Sequence, residues 1–302
     1  ALAAWDQSTF TRAIITIDDS LSYQETLALE LLNQSRLIIQ AAEGERPHLN
    51  LRDDSDTLNP LVIQGGTGYN AVLELDGLLV EGALSVAIDS LKELKLRHCT
   101  LIPGLSLEEK GQAKHPNEAS IELATDDIER TIRLQSCICG PIKMDANNGM
   151  IEVCDSILVS PEGASSKTVL GESKKNPGPK STLLRSTLLG DVFLKELALA
   201  SDCLFQNLLD VHHRQKGCIR YSYVNDAISK TPRRYRCQPD LALEDARASK
   251  PKLAAPVEQA IRLRMKPMFT QLTYPMPAFG QLHLLTAVEI KSGAESQNDM
   301  GA

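Results

Sequence analysis

The chain has 302 residues, of which 42% are apolar and 24% charged, and its formal net charge is −7. This composition is ordinary for a soluble globular protein, and the negative net charge gives no overall case for nucleic-acid binding. No run of about 18 apolar residues is present, which argues against a transmembrane helix. Residues 1–5 lack the basic start and apolar run of a signal peptide, so the sequence predicts a cytoplasmic or particle-associated protein without membrane contacts.

Charge is distributed unevenly along the chain. Residues 1–90 contain 4 Lys and Arg against 14 Asp and Glu, a net charge of −10. Residues 209–302 contain 14 against 9, a net charge of +5. This asymmetry would arise if the two ends of the molecule were sites where modules join. It would also arise if the charges only formed solvated faces of both signs. The chain also lacks an initiator Met and stops abruptly at residue 302, which we interpret as a piece of a larger protein.

Residues 1–11 resemble the end of a preceding element, and short apolar runs follow them. Runs at 13–17, 36–40, 61–63 and 71–75 are rich in Ile, Val and Leu and are separated by polar corners. Strands this short do not suit a sandwich, and no segment of crossover-helix length lies between them. Stacked coils that pair their strands in parallel satisfy both observations.

One phrase recurs in this region: two apolar positions, a polar pair, a small corner residue and another apolar position. Its five copies place these residues at the corner: Cys99, Cys137, Ser156, Thr187 and Cys203. The copies begin 38, 19, 31 and 16 residues apart, and the first interval holds two coils. A repeated supersecondary unit predicts a stacked fold. Insertion loops at about 105–118 and 162–181 account for the irregular spacing.

The seven cysteines show no paired spacing of the zinc-binding type. Because Cys99, Cys137 and Cys203 share one repeat position, we expect buried, reduced thiols stacked on one another. This arrangement favours a reducing compartment. His212 and His213 would point to opposite faces of a strand and do not form a chelating pair. The sequence therefore predicts neither a metal site nor a cofactor.

After residue 224 the repeat ends. Short helices are predicted at 241–247 and 256–265, with Pro256 favouring the start of the second. The end of a stacked fold exposes an apolar cross-section that requires a cap. The sequence thus predicts an all-β right-handed parallel β-helix over residues 12–224 and a mixed capping or linking region over 225–302. The right hand is the one that such coils commonly have.

Four aspartates are the candidate catalytic residues if the protein is an enzyme. They are Asp126, Asp127, Asp145 and Asp155, which lie in consecutive coils. Parallel β-helices often act on acidic sugars, and glycoside hydrolysis requires two carboxylates in one groove. However, the sequence lacks the motifs of pectin hydrolases and pectate lyases, and only 4% of its residues are aromatic. Aspartates are also common in turns because they form local hydrogen bonds, and this interpretation is favoured.

A basic cluster lies near the end of the repeat. It comprises Arg214, Lys216, Arg220, Arg233, Arg234 and Arg236, with Tyr221, Tyr223 and Tyr235 interleaved. The cluster could bind an acidic protein surface, single-stranded nucleic acid or a polysaccharide. Alternatively, its arginines could hold the capping region on acidic coils. Internal or protein–protein pairing is favoured over nucleic acid.

Several phrases carry a resemblance to a known group of proteins. They are Leu-x-Leu-x-x-Cys-x-Leu-x-Pro-Gly at 94–104, Gly-Cys-Ile-Arg-Tyr-Ser-Tyr-Val at 217–224, Thr-Pro-Arg-Arg-Tyr-Arg-Cys-Gln-Pro-Asp at 231–240 and the ending at 289–302. Together they resemble uncharacterised bacterial β-helix proteins found beside components of phage-tail-like contractile injection systems. The resemblance implies a structural or adhesive accessory of a tail-like particle, and it brings no catalytic residues with it.

Two functional hypotheses follow. The first is a non-enzymatic structural or interaction module of a larger assembly, with protein partners and a capacity to form homo-oligomers. The alternative is a tailspike-like hydrolase or lyase that acts on a cell-surface polysaccharide. Two close carboxylates in a groove with aromatic neighbours would favour the enzyme, whereas a large exposed apolar patch on the capping region would favour the module.

Overall fold

The computed structural model describes residues 5–52, 58–65, 70–87, 91–124, 129–147 and 149–302. The chain is mostly β, with 41% of residues in strands and 9% in helices. Within the described residues, no helix has the length and apolar character needed to cross a membrane.

The strands are short and follow one another closely. In chain order they are β1 (Arg12–Ile17), β2 (Ser22–Gln24), β3 (Ala28–Leu31), β4 (Arg36–Ala41), β5 (His48–Asn50), β6 (Leu61–Gly65), β7 (Ala71–Asp76), β8 (Leu79–Glu81), β9 (Leu84–Val86), β10 (Leu91–Arg97), β11 (Thr100–Leu101), β12 (Ile121–Leu123), β13 (Arg130–Gln135), β14 (Ile138–Cys139), β15 (Ile142–Lys143), β16 (Gly149–Cys154), β17 (Ile157–Val159), β18 (Thr168–Leu170), β19 (Gly178–Leu184), β20 (Thr187–Leu189), β21 (Asp191–Ser201), β22 (Leu204–Phe205), β23 (Leu209–Val211), β24 (Cys218–Arg220), β25 (Tyr223–Val224) and β26 (Arg233–Tyr235). The helices are α1 (Asp240–Ser249), α2 (Ala255–Met265) and α3 (Val288–Lys291). Helices α1 and α2 lie where the sequence predicts short helices.

The strands pair in parallel, mostly with the strand three places further along the chain, and form three ladders. The first ladder contains β1, β4, β7, β10, β13, β16, β19, β21, β24 and β26. The second contains β2, β5, β8, β11, β14, β17, β20, β22 and β25. The third contains β3, β6, β9, β12, β15, β18, β21 and β23. We call one set of three consecutive strands a pass; the long parallel sheets that the passes build are consistent with the predicted stacked coils.

Alternation of side chains along the strands produces one elongated apolar core. Leu37, Leu73 and Leu94 pair in register across three strands of the first ladder, and each is at most 2% exposed. Because parallel pairing brings the same strand position together in every pass, apolar side chains stack on apolar side chains through the molecule. Their neighbours along the strands, such as Arg36 and Lys95, are polar and more exposed.

A row of Cys and Ser residues marks the corner between the first and second ladders. Its members are all buried, and we call this set the Cys/Ser row: Cys99, Cys137, Ser156, Ser186, Cys203, Ser222 and Cys237. The residue before each member has a positive φ, for example +55° at Ser136 and +50° at Asp155. This left-handed turn directs the backbone N–H of the row member that follows it away from the ladder. The side chain of the row member in the next pass accepts that hydrogen bond. Thus Cys137 N donates to Ser156 Oγ at 3.0 Å.

The predicted repeat is wrong at one copy and ends too early. Val153 pairs with Leu183, so Ser186 occupies the corner position that the sequence pattern assigns to Thr187. Two small hydroxyl residues are adjacent there, and either one fits the pattern. The row also continues beyond residue 224, because β26 pairs with β24 and brings Cys237 beneath the preceding corner.

Two segments leave the ladders after second-ladder strands. One runs from residue 102 to residue 120 and contains an antiparallel bridge between Leu107 and Ala113. The other runs from residue 160 to residue 167, whereas β18 and the start of β19 occupy much of the predicted loop at 162–181. Ser165 donates to Asn117 Oδ1 from its backbone N at 2.8 Å and from its Oγ at 2.7 Å. The two insertions therefore touch.

The C-terminal region, residues 236–302, packs along the second ladder. A small apolar core joins the two, and its buried members are Leu204, Tyr223, Met265, Ile290 and Met300. Gly301 N donates to Asp202 O at 2.7 Å, and Ala302 N donates to Thr187 Oγ1 at 3.0 Å. The region therefore covers the outer side of the later second-ladder strands.

Candidate functional surfaces

The structure does not join the described catalytic candidates into a pair. Asp126 and Asp127 lie outside the described residues. Asp145 follows β15 of the third ladder, and its Oδ1 accepts a hydrogen bond from Asn147 N at 3.1 Å. Asp155 follows β16 of the first ladder. Since β16 lies between them, Asp145 and Asp155 lie on either side of this strand, at different corners.

Asp155 forms an ion pair with the next pass. Arg185 Nε and Nη2 donate to its two carboxylate oxygens at 2.6 and 2.9 Å. The hydrogen bonds from Arg185 are the main cause of a lowered pKa of Asp155. A general acid in glycoside hydrolysis requires a raised pKa, whereas this pairing keeps the carboxylate charged. In this arrangement Asp155 links two passes.

The basic cluster is dispersed among separate contacts. Arg220 pairs with Glu295 at 3.1 Å, and Arg234 pairs with Asp240 at 2.9 Å. Both partners belong to the C-terminal region. These two arginines therefore connect ladder strands to the region that covers them.

Other members of the cluster contact neighbours on the ladders. Lys216 lies 3.2 Å from Glu196, and the Arg236 guanidinium carbon lies 5.9 Å from the centre of the Tyr221 ring. Three members form no ion pair in the part of the chain that the structure describes: Arg214, Arg233 and Arg236. The cluster is thus not one continuous cationic surface, which lowers its suitability for a long polyanion.

Charges of alternating sign cover the outer face of the first ladder. Glu74 is only 6% exposed and lies 3.1 Å from Arg36 and 3.4 Å from Arg97. In later passes the signs are reversed, and one arginine lies between two acids: Arg133 pairs with Glu93 and with Glu152. Sequence reasoning missed these groups, although a charged residue at alternate strand positions was a usable signal. Because the signs alternate, this flank offers little net charge to a partner.

Ser22, His48 and Glu81 lie next to one another across the second ladder. Ser22 Oγ lies 2.8 Å from His48 Nδ1, and His48 Nε2 lies 3.2 Å from Glu81 Oε2. Arg52 Nη2 also donates to Glu81 at 2.7 Å. Contacts with His48 and then with Arg52 and Ser106 lower the pKa of Glu81 to about 2. The residue types match a nucleophilic triad. However, Ser22 does not line any of the cavities described below, and the carboxylate of Glu81 is paired with Arg52. We therefore interpret Ser22, His48 and Glu81 as contacts that stabilise three adjacent passes.

Two grooves flank the insertions. One has a volume of about 320 Å³, and its lining includes Leu58, Pro60, Leu105, His115, Glu118 and Glu122. The other has a volume of about 290 Å³, and its lining includes Val159, Pro161, Lys167, Gln206, Leu272 and Thr273. None of the described residues lining these two grooves is Trp, Tyr or Phe. Sugar stacking on aromatic rings therefore has no platform in either groove.

The cysteines and histidines do not assemble a metal site among the residues described. No three His, Cys, Asp or Glu side chains converge there. His212 and His213 follow β23, with ring centres 6.5 Å apart. The expected buried, reduced thiols at Cys99, Cys137 and Cys203 are confirmed. Burial raises the pKa of Cys99 and Cys203 to about 12, so both remain thiols at neutral pH.

Exposed large apolar side chains occur in two separate parts of the described chain. The first part contains Phe10, Ile14, Leu21 and Leu32. The second contains Ile228, Tyr235, Val257, Leu263, Met268, Leu272, Leu284, Leu285 and Val288. Between residues 33 and 227, no described large apolar residue is exposed. The passes between these two parts therefore present polar flanks.

These surfaces support contact with other molecules more directly than they support a reaction. The described candidate acids are separated or paired, and the exposed large apolar side chains of the described residues fall within residues 10–32 and 228–288. In comparisons with known proteins, no family model, no curated protein and no solved structure matches this chain.

Proposed function

We propose that the strands from β1 to β26 wind as a right-handed parallel β-helix covered in part by the C-terminal region, and that the chain acts as a non-enzymatic structural or interaction module of a larger assembly. The pairing of most strands with the third strand further on supports the helical path. The right hand is the usual hand of parallel crossover connections.

Among the described residues, exposed large apolar side chains occur only within residues 10–32 and 228–288, and this observation carries the proposed function. Contiguous exposed apolar surface on a water-soluble protein usually marks an interaction site. Leu284 and Leu285 are 86% and 76% exposed, which is unfavourable unless a partner covers them. By resemblance, the assembly is a phage-tail-like contractile particle.

An affinity pull-down of the protein from its native cell tests the proposal. We expect sheath, tube or baseplate subunits to be recovered and identified by mass spectrometry. A Leu284→Gln/Leu285→Gln variant should recover fewer of them, and an Ile228→Gln variant serves as the control for loss of an exposed apolar side chain elsewhere. If no such subunit is recovered and the eluate contains shortened surface glycan, the proposal of a non-enzymatic module is overturned.

A polysaccharide hydrolase or lyase is the second candidate, and one groove favours it. Glu118 and Glu122 both line the cavity of about 320 Å³ beside β12. Two carboxylates at one groove are the minimum for glycoside hydrolysis. If this candidate is correct, the protein shortens purified cell-surface glycan, and Glu122→Gln abolishes the cleavage while leaving the circular dichroism spectrum unchanged.

A further inference from the structure

We infer that the outer face of the last four strands of the first ladder binds a short acidic segment of a partner protein. This surface belongs to β19, β21, β24, β26 and the corners beside them. We call it the basic face, and its residues are 180–185, 195–202, 212–221 and 233–236. The inference rests on the proposed function, because it gives the chemistry of one partner of the proposed module.

The basic face carries a positive charge that its ion pairs do not neutralise. Its four segments contain nine Lys and Arg against two acidic residues. Three acidic side chains from other segments form ion pairs with these cations: Asp155, Asp240 and Glu295. A net charge of +4 remains after these three are counted, so the face attracts anions.

The alternation of signs on the outer face of the first ladder ends at β16. In the earlier passes, the cations lie beside acids of the same face: Arg36 and Arg97 pair with Glu74, and Lys95 and Arg133 pair with Glu93.

The basic face differs because three of its arginines form no ion pair in the part of the chain that the structure describes. These are Arg214, Arg233 and Arg236, and all three are exposed. A guanidinium group pairs well with a carboxylate, because two of its N–H groups can reach both oxygens. These arginines are therefore available to the carboxylates of a partner.

The cations lie along two edges of an uncharged floor. At one edge, Lys180 and Lys216 lie 3.6 and 3.2 Å from the two carboxylate oxygens of Glu196. At the other edge, Arg236 lies beside the Tyr221 ring. Four half-buried residues form the floor between the edges: Thr182, Leu184, Leu199 and Cys218. A partner can thus place carboxylates at the edges and aliphatic carbons on the floor.

The basic face is open to solvent. The side chains of Lys180 and Lys216 are 52% and 66% exposed, and Tyr235 is 54% exposed. The C-terminal region packs along the second ladder and reaches this face through Glu295, which lies 3.1 Å from Arg220. An incoming segment therefore meets the face without displacing a packed element.

The dimensions of the face suit a short segment. Neighbouring strands lie about 4.8 Å apart, so the four strands span about 14 Å. An extended chain covers this distance with about four residues. A longer polyanion would continue onto the earlier passes, where the charges alternate in sign.

The aromatic side chains of the face favour a protein segment over single-stranded nucleic acid. The Tyr221 ring has the Arg236 guanidinium carbon 5.9 Å from its centre and meets the Tyr235 ring edge-on at 5.8 Å. Successive bases stack on separate, open ring faces in proteins that bind single strands. Since the two rings already contact each other, they do not provide such a series.

Fluorescence anisotropy of a labelled hexaglutamate peptide, titrated with the full chain, tests this site. We expect binding at low salt that weakens as the ionic strength rises, because screening reduces the attraction. The double variant Arg233→Gln/Arg236→Gln should bind the peptide at least about fivefold more weakly. The matched control is Lys250→Gln/Lys252→Gln, which removes the same charge at exposed positions between α1 and α2. It should bind within about twofold of wild type.

Competition with unlabelled anions distinguishes the kinds of partner. We expect unlabelled hexaglutamate to displace the labelled peptide at a lower concentration than an oligothymidylate or an oligogalacturonate of the same charge. Circular dichroism establishes that each variant is folded.

Three results would overturn the inference: no binding of hexaglutamate at low salt, an equal loss in the control variant, or stronger displacement by either of the other two anions. None of them bears on the recovery of sheath, tube or baseplate subunits from the native cell. A failure here is therefore distinguishable from a failure of the proposed function.

Discussion

At each member of the Cys/Ser row, a sulfur or hydroxyl oxygen accepts a backbone N–H from the corner of the preceding pass. Ser156 Oγ accepts from Cys137 N at 3.0 Å and donates to Cys154 O at 2.7 Å. The same geometry recurs at Ser222, whose Oγ accepts from Cys203 N at 3.0 Å. Only a small side chain with an acceptor on its second heavy atom fits this buried corner, which explains why each member of the row is Cys or Ser.

Replacing Ser156 with Ala should lower the free energy of unfolding by about 1–3 kcal/mol, because Cys137 N would be buried without an acceptor. Ser156→Cys should cost less, since cysteine occupies the equivalent positions in other passes. Guanidinium denaturation followed by circular dichroism measures both. Ser249→Ala, at an exposed position of α1, is the matched control. An equal loss for the Ala and Cys variants would contradict the acceptor role.

Burial also determines which thiols react. It raises the pKa of Cys137 and Cys237 to about 11, and it raises the pKa of the fully buried Cys139 well above its usual value. Cys154 and Cys218 are the partly exposed members. With an aromatic disulfide reagent at about pH 8, we expect at most these two of the seven thiols to react in the folded protein, and all seven in denaturant. Rapid reaction of a third thiol under native conditions would contradict the buried row.

At the scale of elements, the line from Ser22 through His48 to Glu81 joins β2, β5 and β8. The pKa of Glu81 is lowered from 4.5 to about 2 in the folded chain. A carboxyl group with a lowered folded-state pKa stabilises the protein above its unfolded pKa, and this contribution is lost as pH falls toward the folded value. The second ladder should therefore lose stability between about pH 5 and about pH 2.

At pH 6, Glu81→Gln should lower the free energy of unfolding by about 1–2 kcal/mol after allowance for solvent screening. The variant should therefore unfold at a lower denaturant concentration than wild type. The difference should shrink as the pH is lowered toward 2, because the wild-type carboxylate is then protonated as well. Denaturation midpoints at a series of pH values measure this. Glu109→Gln, on the exposed insertion, should show no such pH dependence. A constant difference across the series would contradict the assigned pKa.

The strands were predictable from sequence where each pass repeats one apolar spacing, as at Leu94, Ile132 and Ile151. The register failed at β19 because Ser186 and Thr187 are equivalent in the pattern, and only pairing with β16 distinguishes them. The 11-residue strand β21 was not predicted, because it continues without a break from the third ladder to the first through the polar pair Lys195-Glu196. The repeat therefore predicts which segments are strands, whereas the register between strands is defined only by their pairing in the structure.

At the scale of the whole molecule, the position of the C-terminal region was beyond sequence reasoning. Its contacts join residues far apart in the chain, such as Glu295 N with Asp202 Oδ1 at 2.6 Å. No local pattern marks Asp202 as an acceptor, because it also satisfies the repeat as a corner residue. The arginines were recognisable as a cluster, but their acidic partners lie on segments whose path the repeat does not determine.

Docking of the C-terminal region depends on Met300, which is 2% exposed in the small core with Leu204, Tyr223 and Ile290. Met300→Ala removes most of that side chain and should cost about 2–4 kcal/mol of local stability. Because the ladders retain their own core, the loss should appear as local opening rather than as unfolding of the strands. Amide hydrogen exchange followed by mass spectrometry should therefore show faster exchange at residues 288–302, with little change at β13 or β16. The control is Ser296→Ala, which is exposed in the same segment and should exchange as wild type does. If exchange in the Met300 variant is instead faster across all the ladders, the C-terminal region and the ladders unfold as one unit.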